Sequence, residues 1–376
     1  MTQVPRSAGF LAAMLVLAGL LTATAPAAAS AASCESWTGA QLPSPGTGNN
    51  SLFGVTVLSP CDAWAVGSAD GNGATLTLTE HWDGASWQVV PSPDPGTGTF
   101  DVLRSVRATS PTDVWAVGTY FGGTSDQTLI VHWDGTTWSQ VPSPNPGSTD
   151  NFLQAVRTVS ATDAWAVGRY LQSGVDQTLI LHWDGTTWAQ VASPNPGSSD
   201  ALDSVAATSV SDAWAVGAIF ATSGDQTLIM HWNGTKWARV ASPNPGAVND
   251  LFAVGATSVT NAWAVGIAGD ATLTLRWNGR TWAHVTSPSP GGPGVENILN
   301  GVVVNSPGSA WAAGETANGT QTLTLHWNGT AWARVPSPQP GPTSVLFAVG
   351  ASSPGNVWAV GSYSGSPSQA LALHCC

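Results

Sequence analysis

From about residue 50 onward the chain alternates apolar and polar positions in runs of five to seven residues, bounded by turn residues. Nowhere in that region does the spacing of apolar residues follow a helical stripe. Between 152 and 196 the stretch Leu153-Gln-Ala-Val-Arg-Thr-Val159 predicts one strand, called a, and the polar Ser160-Ala-Thr-Asp163 predicts a turn. Ala164-Trp-Ala-Val-Gly168 predicts strand b, followed by a variable loop over 169–176. Gln177-Thr-Leu-Ile-Leu-His-Trp183 predicts strand c, and Asp184-Gly185 marks a hairpin. Thr187-Trp-Ala-Gln-Val191 predicts strand d, which Ser193-Pro-Asn-Pro-Gly197 ends, because proline cannot donate to a ladder.

The unit recurs. Versions of Asp163-Ala-Trp-Ala-Val-Gly168 carry their Trp at 64, 115, 165, 214, 263, 311 and 358, a spacing of 47 to 51 residues. Four short antiparallel strands repeated at that period predict an all-β fold, a seven-bladed β-propeller of four-stranded antiparallel blades. Within strand b, Trp165 and Val167 point to one face and Ala164, Ala166 and Gly168 to the other, so a bulky face can lie on the small face of the next blade. A four-residue c–d turn sets Trp183 opposite Trp188, with like pairs at 82/87, 133/138, 232/237, 277/282 and 327/332. Strand b thus occurs seven times and the c–d Trp pair six. The last repeat stops at His374-Cys375-Cys376, while Ser36-Trp37-Thr-Gly-Ala-Gln-Leu-Pro43 reads as a strand d with no strands before it. The N-terminal strand is therefore expected to complete the last blade.

Composition narrows the setting. Charged residues are only 9% of the chain, yet 43% is hydrophobic and 20 residues are Trp, which places it with chains that bury a core rather than disordered ones. A net charge of −12 speaks against nucleic acid and anionic membrane surfaces as partners. Residues 1–32 read as a secretory signal peptide: Arg6, an apolar run over 10–21 and a small-residue stretch to Ala32. That run is too short to span a membrane comfortably, so no insertion is expected after cleavage. Residues 33–376 then form the propeller, expected to be a secreted monomer; lipid anchoring at Cys34 through Ala31-Ala-Ser-Cys34 is a lesser reading. In an oxidising compartment Cys34 can bond to Cys375 or Cys376 and staple the ring. A second bridge from Cys61 to the remaining terminal cysteine is also expected, with the pairing open.

The repeats resemble secreted bacterial seven-bladed β-propellers with Trp-rich repeats, in the kelch and Asp-box neighbourhood. His182-Trp-Asp-Gly-Thr-Thr-Trp188 is similar to a shortened Asp box lacking the residue between Asp and Gly. Trp183-Asp184 resembles the Trp-Asp dipeptide of another propeller family, without its Gly-His partner. The resemblance covers essentially the whole chain after residue 32 and implies architecture, since propellers carry lectins, hydrolases, lyases and scaffolds alike.

Candidate chemistry lies where repeats differ. His81, His132, His182, His231, His326 and His374 end strand c, with Arg276 in the fifth repeat; a hydrogen bond to the Asp that opens strand b (Asp62, Asp113, Asp163, Asp212) gives them a structural role. Asp126, Asp176 and Asp225 are isolated and read as turn residues, so neither a metal nor a cofactor is expected. No nucleophile elbow, zinc motif or phosphate loop occurs. Tyr120, Tyr170 and Tyr363 share one slot after strand b, with Arg169 and Phe220 beside it; these aromatics either meet a ligand or pack down over the blade. After the invariant Leu of strand a comes a position that varies: Phe53, Arg104, Gln154, Asp203, Phe252, Asn300 and Phe347. A structural position should be uniform, so this one is expected to line the channel entrance, and Arg107 and Arg157 add a positive spot nearby. The expected function is non-catalytic binding of an extracellular protein or glycan through the face bearing the d–a and b–c loops. A lectin using the Tyr120, Tyr170, Phe220 and Tyr363 rings, and a polysaccharide-active hydrolase or lyase, are the alternatives.

Overall fold

The computed structural model describes residues 1–2, 36–71, 73–97 and 100–375. The leader assigned to 1–32 falls, beyond its first two residues, outside them, as do Cys34 and Cys376. Seven four-stranded antiparallel sheets stand in a ring, each ordered a-b-c-d. Blade three runs Asn151–Ser160, Asp163–Gln172, Val175–Trp183 and Trp188–Gln190. Strands b and c are longer than the sequence pattern predicts, and the expected loop over 169–176 is mostly strand. Ser173 and Gly174 both take positive φ, 55° and 80°, and make a two-residue hairpin turn whose twist matches that of the flanking strands. Arg169 and Tyr170 therefore lie in strand b of blade three, and Tyr120 and Tyr363 likewise end strand b in blades two and seven.

The c–d turn works as expected. Trp183 pairs directly with Trp188, their rings 5.8 Å apart. Asp184 Oδ1 accepts the amides of Thr186 and Thr187 and the Thr186 hydroxyl, at 2.7–2.8 Å, which fixes the turn between them. Those three hydrogen bonds hold the exposed carboxyl down at about 2.

Seven apolar clusters form the core, one at each seam between neighbouring blades. At the seam of blades three and four, Trp165 and Val167 pack on Ala213 and Ala215, the bulky face on the small one. Trp165 also reaches further. Its ring lies 4.2 Å from His182 of its own blade, 5.0 Å from Trp232 and 5.2 Å edge-on from Trp237 of the next blade. Each strand-b Trp but Trp311 is thus gripped between a strand-c side chain of its own blade and the c–d Trp pair beyond. In blade five Arg276 takes the histidine's place, its guanidinium 5.3 Å from Trp263 and 5.2 Å from Trp327.

Closure follows the same geometry with one substitution. Thr38–Ala40 pairs with Gln369–Cys375, placing Thr38 opposite His374. In that register Trp37 occupies the place of Trp188, and its ring meets Trp311 edge-on at 5.4 Å. Cys375 occupies the place of Trp183 and is fully buried. Cys61, by contrast, is exposed and free, and its side chain packs on Gly84 in the c–d turn of its own blade. The expected bridge from Cys61 is therefore not formed in this structure.

One residue breaks the core pattern. Glu80 in blade one sits where the other blades place Val131, Leu181, Met230, Leu275, Leu325 and Leu373. It is completely buried, and neither carboxyl oxygen has a hydrogen-bond partner among the described residues. Burial pushes its pKa from 4.5 up to about 8.

Two outcomes are expected. Trp37→Ala lowers stability in urea unfolding by about 3–5 kcal/mol, as much as Trp188→Ala does; a loss under about 1 kcal/mol would show that the N-terminal strand is no working part of the ring. For Glu80, the folded protein keeps a proton that the unfolded chain has released between pH 4.5 and about 8. Its contribution therefore favours folding most below pH 4.5, falls as pH rises through that window, and is flat above it. Glu80→Leu raises stability at pH 8 by a few kcal/mol, on the order of the transfer energy of a buried Leu, and flattens the pH profile. An unchanged profile in chemical denaturation would exclude this account.

Candidate functional site: the axial channel

Strand a lines the axis, and in every blade it carries the same irregularity. In blade three Leu153 pairs with Gly168 and Ala155 with Val167, leaving Gln154 without a partner on strand b. The same β-bulge isolates Phe53, Arg104, Asp203, Phe252, Asn300 and Phe347. A bulge residue is released from the ladder and can be aimed independently of it. Here all seven are aimed at the axis, where they line a narrow neck of about 80 Å³. The variable ring expected from the sequence is thus brought together by a repeated backbone device.

The uniform part of the motif holds this device in place. Beside each bulge, the strand-b glycine approaches strand a so closely that a Cβ on Gly168 would lie 1.9 Å from the Phe152 carbonyl oxygen. Only glycine permits that approach.

The neck is chemically uneven. Phe53 and Phe347 meet at 5.2 Å on one side, and the Arg104 guanidinium covers Phe53 at 4.6 Å. Burial lowers the pKa of Arg104, and the nearby charge of Arg169 lowers it further. Asp203, across the ring, is pushed up to about 7 by burial, against the opposing pull of Arg169. Asn300 donates to the Leu346 carbonyl oxygen at 3.0 Å. Arg169 lies outside the neck: it pairs with Asp176 at 3.2 Å and stands 4.8 Å over Phe152. Its field nevertheless reaches both Arg104 and Asp203.

The aromatic slot is placed elsewhere. Tyr120, Tyr170 and Tyr363 are half-buried and pack against the clusters of their own seams. Phe220 is also half-buried. None of the four lines the neck. Tyr120 borders a separate outer recess of about 330 Å³ with Gln140 and Asn145.

Beyond the neck the channel widens into a chamber of about 490 Å³, running along strand a toward the a–b turns. Its wall is Val, Ala, Gly and Thr, with Arg107 and Arg157 at the same level in adjacent blades, opposite Trp115 and Trp165.

The histidine row is structural, as expected. His132 and His231 each hydrogen-bond the Asp that opens strand b at 2.7 Å, and His81 does so at 3.0 Å. Asn356 substitutes for that Asp opposite His374, at 2.8 Å. The sequence pattern did not disclose a second network that sets the loops. Thr178 Oγ1 meets Ser193 Oγ at 2.7 Å, and Asn195 Oδ1 accepts the Thr178 amide at 2.7 Å. The Ser-Pro-Asn-Pro-Gly segment therefore latches the d–a crossover onto strand c as well as ending strand d. A buried Asn or Asp opening strand a, such as Asn151 or Asp200, then accepts the amide of the loop glycine at 2.7–2.9 Å. The signal was present in the repeated Thr and Asn, but their partners are distant in sequence.

No family model and no curated protein match the chain. Solved structures do. A YCF48 bound to a D1 peptide is 16% identical, with 90% of this chain and 96% of that one covered, at a TM-score of 0.56. U3-55K is 8% identical, with 91% and 98% covered and a TM-score of 0.61. The GH74 xyloglucanase from Xanthomonas campestris is 14% identical, with 89% of this chain and 55% of that one covered and a TM-score of 0.56. At such identities the likeness is one of fold. Among the described residues no helix is long and apolar enough to cross a membrane.

Proposed function

We propose that this protein is a non-catalytic binding scaffold whose ligand docks at the loop-bearing end of the channel, on the ring of bulge residues. The observation that carries this reading is the contrast within strand a. The residue before each bulge is Leu in all seven blades, while the bulge residue ranges over Phe, Arg, Gln, Asp and Asn. A backbone device kept in every blade to present unlike side chains to one opening is what a recognition surface needs. The favoured ligand is a peptide or protein loop carrying an apolar residue for the Phe53–Phe347 side and polar groups for Arg104, Gln154 and Asp203. One structural neighbour, YCF48, is seen with a peptide bound. A glycan is less favoured, because the rings of Tyr120, Tyr170 and Tyr363 are packed into the blades rather than presented as platforms.

The test is a pair of arrays, one of extended peptides and one of glycans, probed with the wild type and with Arg104→Ala and Asp203→Ala. Peptide binding weakened about tenfold or more by either variant, as for a lost charged contact, supports the reading. Glycan binding abolished by Tyr170→Ala, or peptide binding indifferent to the ring, overturns it.

Export through the 1–32 leader and a covalent staple from Cys34 to the terminal cysteine pair belong to the same proposal. Buried Cys375 lies at the end of strand c, opposite the strand that begins just after Cys34, and Cys61 is the free cysteine among the described residues. Non-reducing peptide mapping of the protein recovered from culture medium is expected to give a mature start near residue 32 and one Cys34-containing crosslink. An intact N-terminus with Cys34 as a thiol would remove this part.

A further inference from the structure

We propose that the axial chamber is a binding site for a small oxyanion, a carboxylate or phosphate, clamped by Arg107 and Arg157. The chamber lies beyond the neck from the loop face, so this site does not depend on the loop-face reading. Two guanidinium groups stand at one level in neighbouring blades, inside a cavity of about 490 Å³. The other five blades place Thr56, Ala206, Gly255, Val303 and Gly350 at that level, so the fold does not require a cation there. No carboxylate among the described residues lines the chamber. Arg107 donates to two backbone carbonyl oxygens, Val55 at 3.1 Å and Val106 at 2.8 Å, which orient it without neutralising it. The Nε of Arg157 is buried and has no hydrogen-bond partner among the described residues.

Two like charges sharing a cavity are costly without a counter-charge. Burial, with the repulsion of Arg157 added, lowers the Arg107 pKa to about 10, so the group stays protonated at neutral pH. A chain with 22 acids and only 10 bases nonetheless sets these two bases on its axis with no carboxylate on the chamber wall among the described residues. Guanidinium forks match the oxygen pairs of carboxylate and phosphate, and the hydroxyl of Thr158 on the same wall adds a donor. The remaining Val, Ala and Gly wall suits a compact ligand with a short aliphatic body.

The full chain is titrated with sodium phosphate and, separately, sodium malonate by calorimetry, at constant ionic strength set with sodium chloride. Saturable one-to-one binding of either ion, weakened about tenfold or more in Arg107→Gln and Arg157→Gln and unchanged in the surface variant Arg280→Gln, is expected; the two arms distinguish the phosphate from the carboxylate source. Because either variant can misfold, wild-type crystals soaked in sodium selenate provide a second reading. An anomalous peak between the two guanidinium groups supports the site. The proposal is overturned by the absence of saturable binding in both arms, by equal affinity in all variants, or by selenate confined to the outer surface.

Discussion

The ring depends on how the strand-b tryptophan is held. Each such ring contacts a histidine, or Arg276, of its own blade at one side and, at the other, two tryptophans of the next blade, or Trp37 alone for Trp311. A blade alone could cover its Trp on one side only, so stability arises at the seams, as in other repeat architectures. Burying one indole removes about 150–250 Å² from water, roughly 4–6 kcal/mol before the entropy of ordering is charged against it. Because the partners come from different blades, losing one blade would expose the aromatic faces on both sides of the gap. Closure by Trp37 is accordingly part of the core, and the N-terminal strand enters the ring through the same edge-to-face contact as every other strand d.

This packing leaves the axis free to vary. The inter-blade faces are committed to Trp, Val and Ala, and a change there is felt in two blades at once. The bulge takes one residue per blade out of that commitment. Without a partner on strand b, Gln154 and its six counterparts face neither neighbouring blade's core and can differ without disturbing a seam. The result is a uniform shell around a chemically uneven channel, with apolar rings and Arg104 on one side of the neck, Asp203 on another, and two further arginines beyond it.

Blade number, strand order, the Trp pairing and the split last blade were legible in the sequence because each is a local period or its interruption. The variable position after the strand-a leucine was legible too, as a break in uniformity, but not its cause: a register shift of one residue leaves no mark in the residue types. The sequence left open whether Tyr120, Tyr170 and Tyr363 meet a ligand or pack over the blade, and the structure packs them on the seams. Pattern alone assigned 169–176 to a loop, where aromatics would be presented to solvent, whereas the turn at Ser173-Gly174 lets strands b and c continue and turns Tyr170 down onto a seam. The latch between Thr178, Ser193 and Asn195 escaped notice because its three parts serve two strands and a crossover.

Departures from the repeat therefore carry the information. In a chain of near-identical units, a residue that matches its counterparts is accounted for by the seam it fills. Glu80 and Cys375 both depart from that rule, and both lie in blades that meet at the closing seam, between blade seven and blade one. Cys375 stands where a tryptophan would otherwise complete the pair with Trp37, so Trp311, at the seam of blades six and seven, lacks one of the aromatic contacts that the other strand-b rings have. Glu80 places an unpartnered carboxyl in the apolar layer where the others place Val, Leu or Met. The two changes weaken non-covalent packing at the two seams of blade seven, the one blade built from both ends of the chain, so that blade is where a covalent link between the ends would stabilise the ring most.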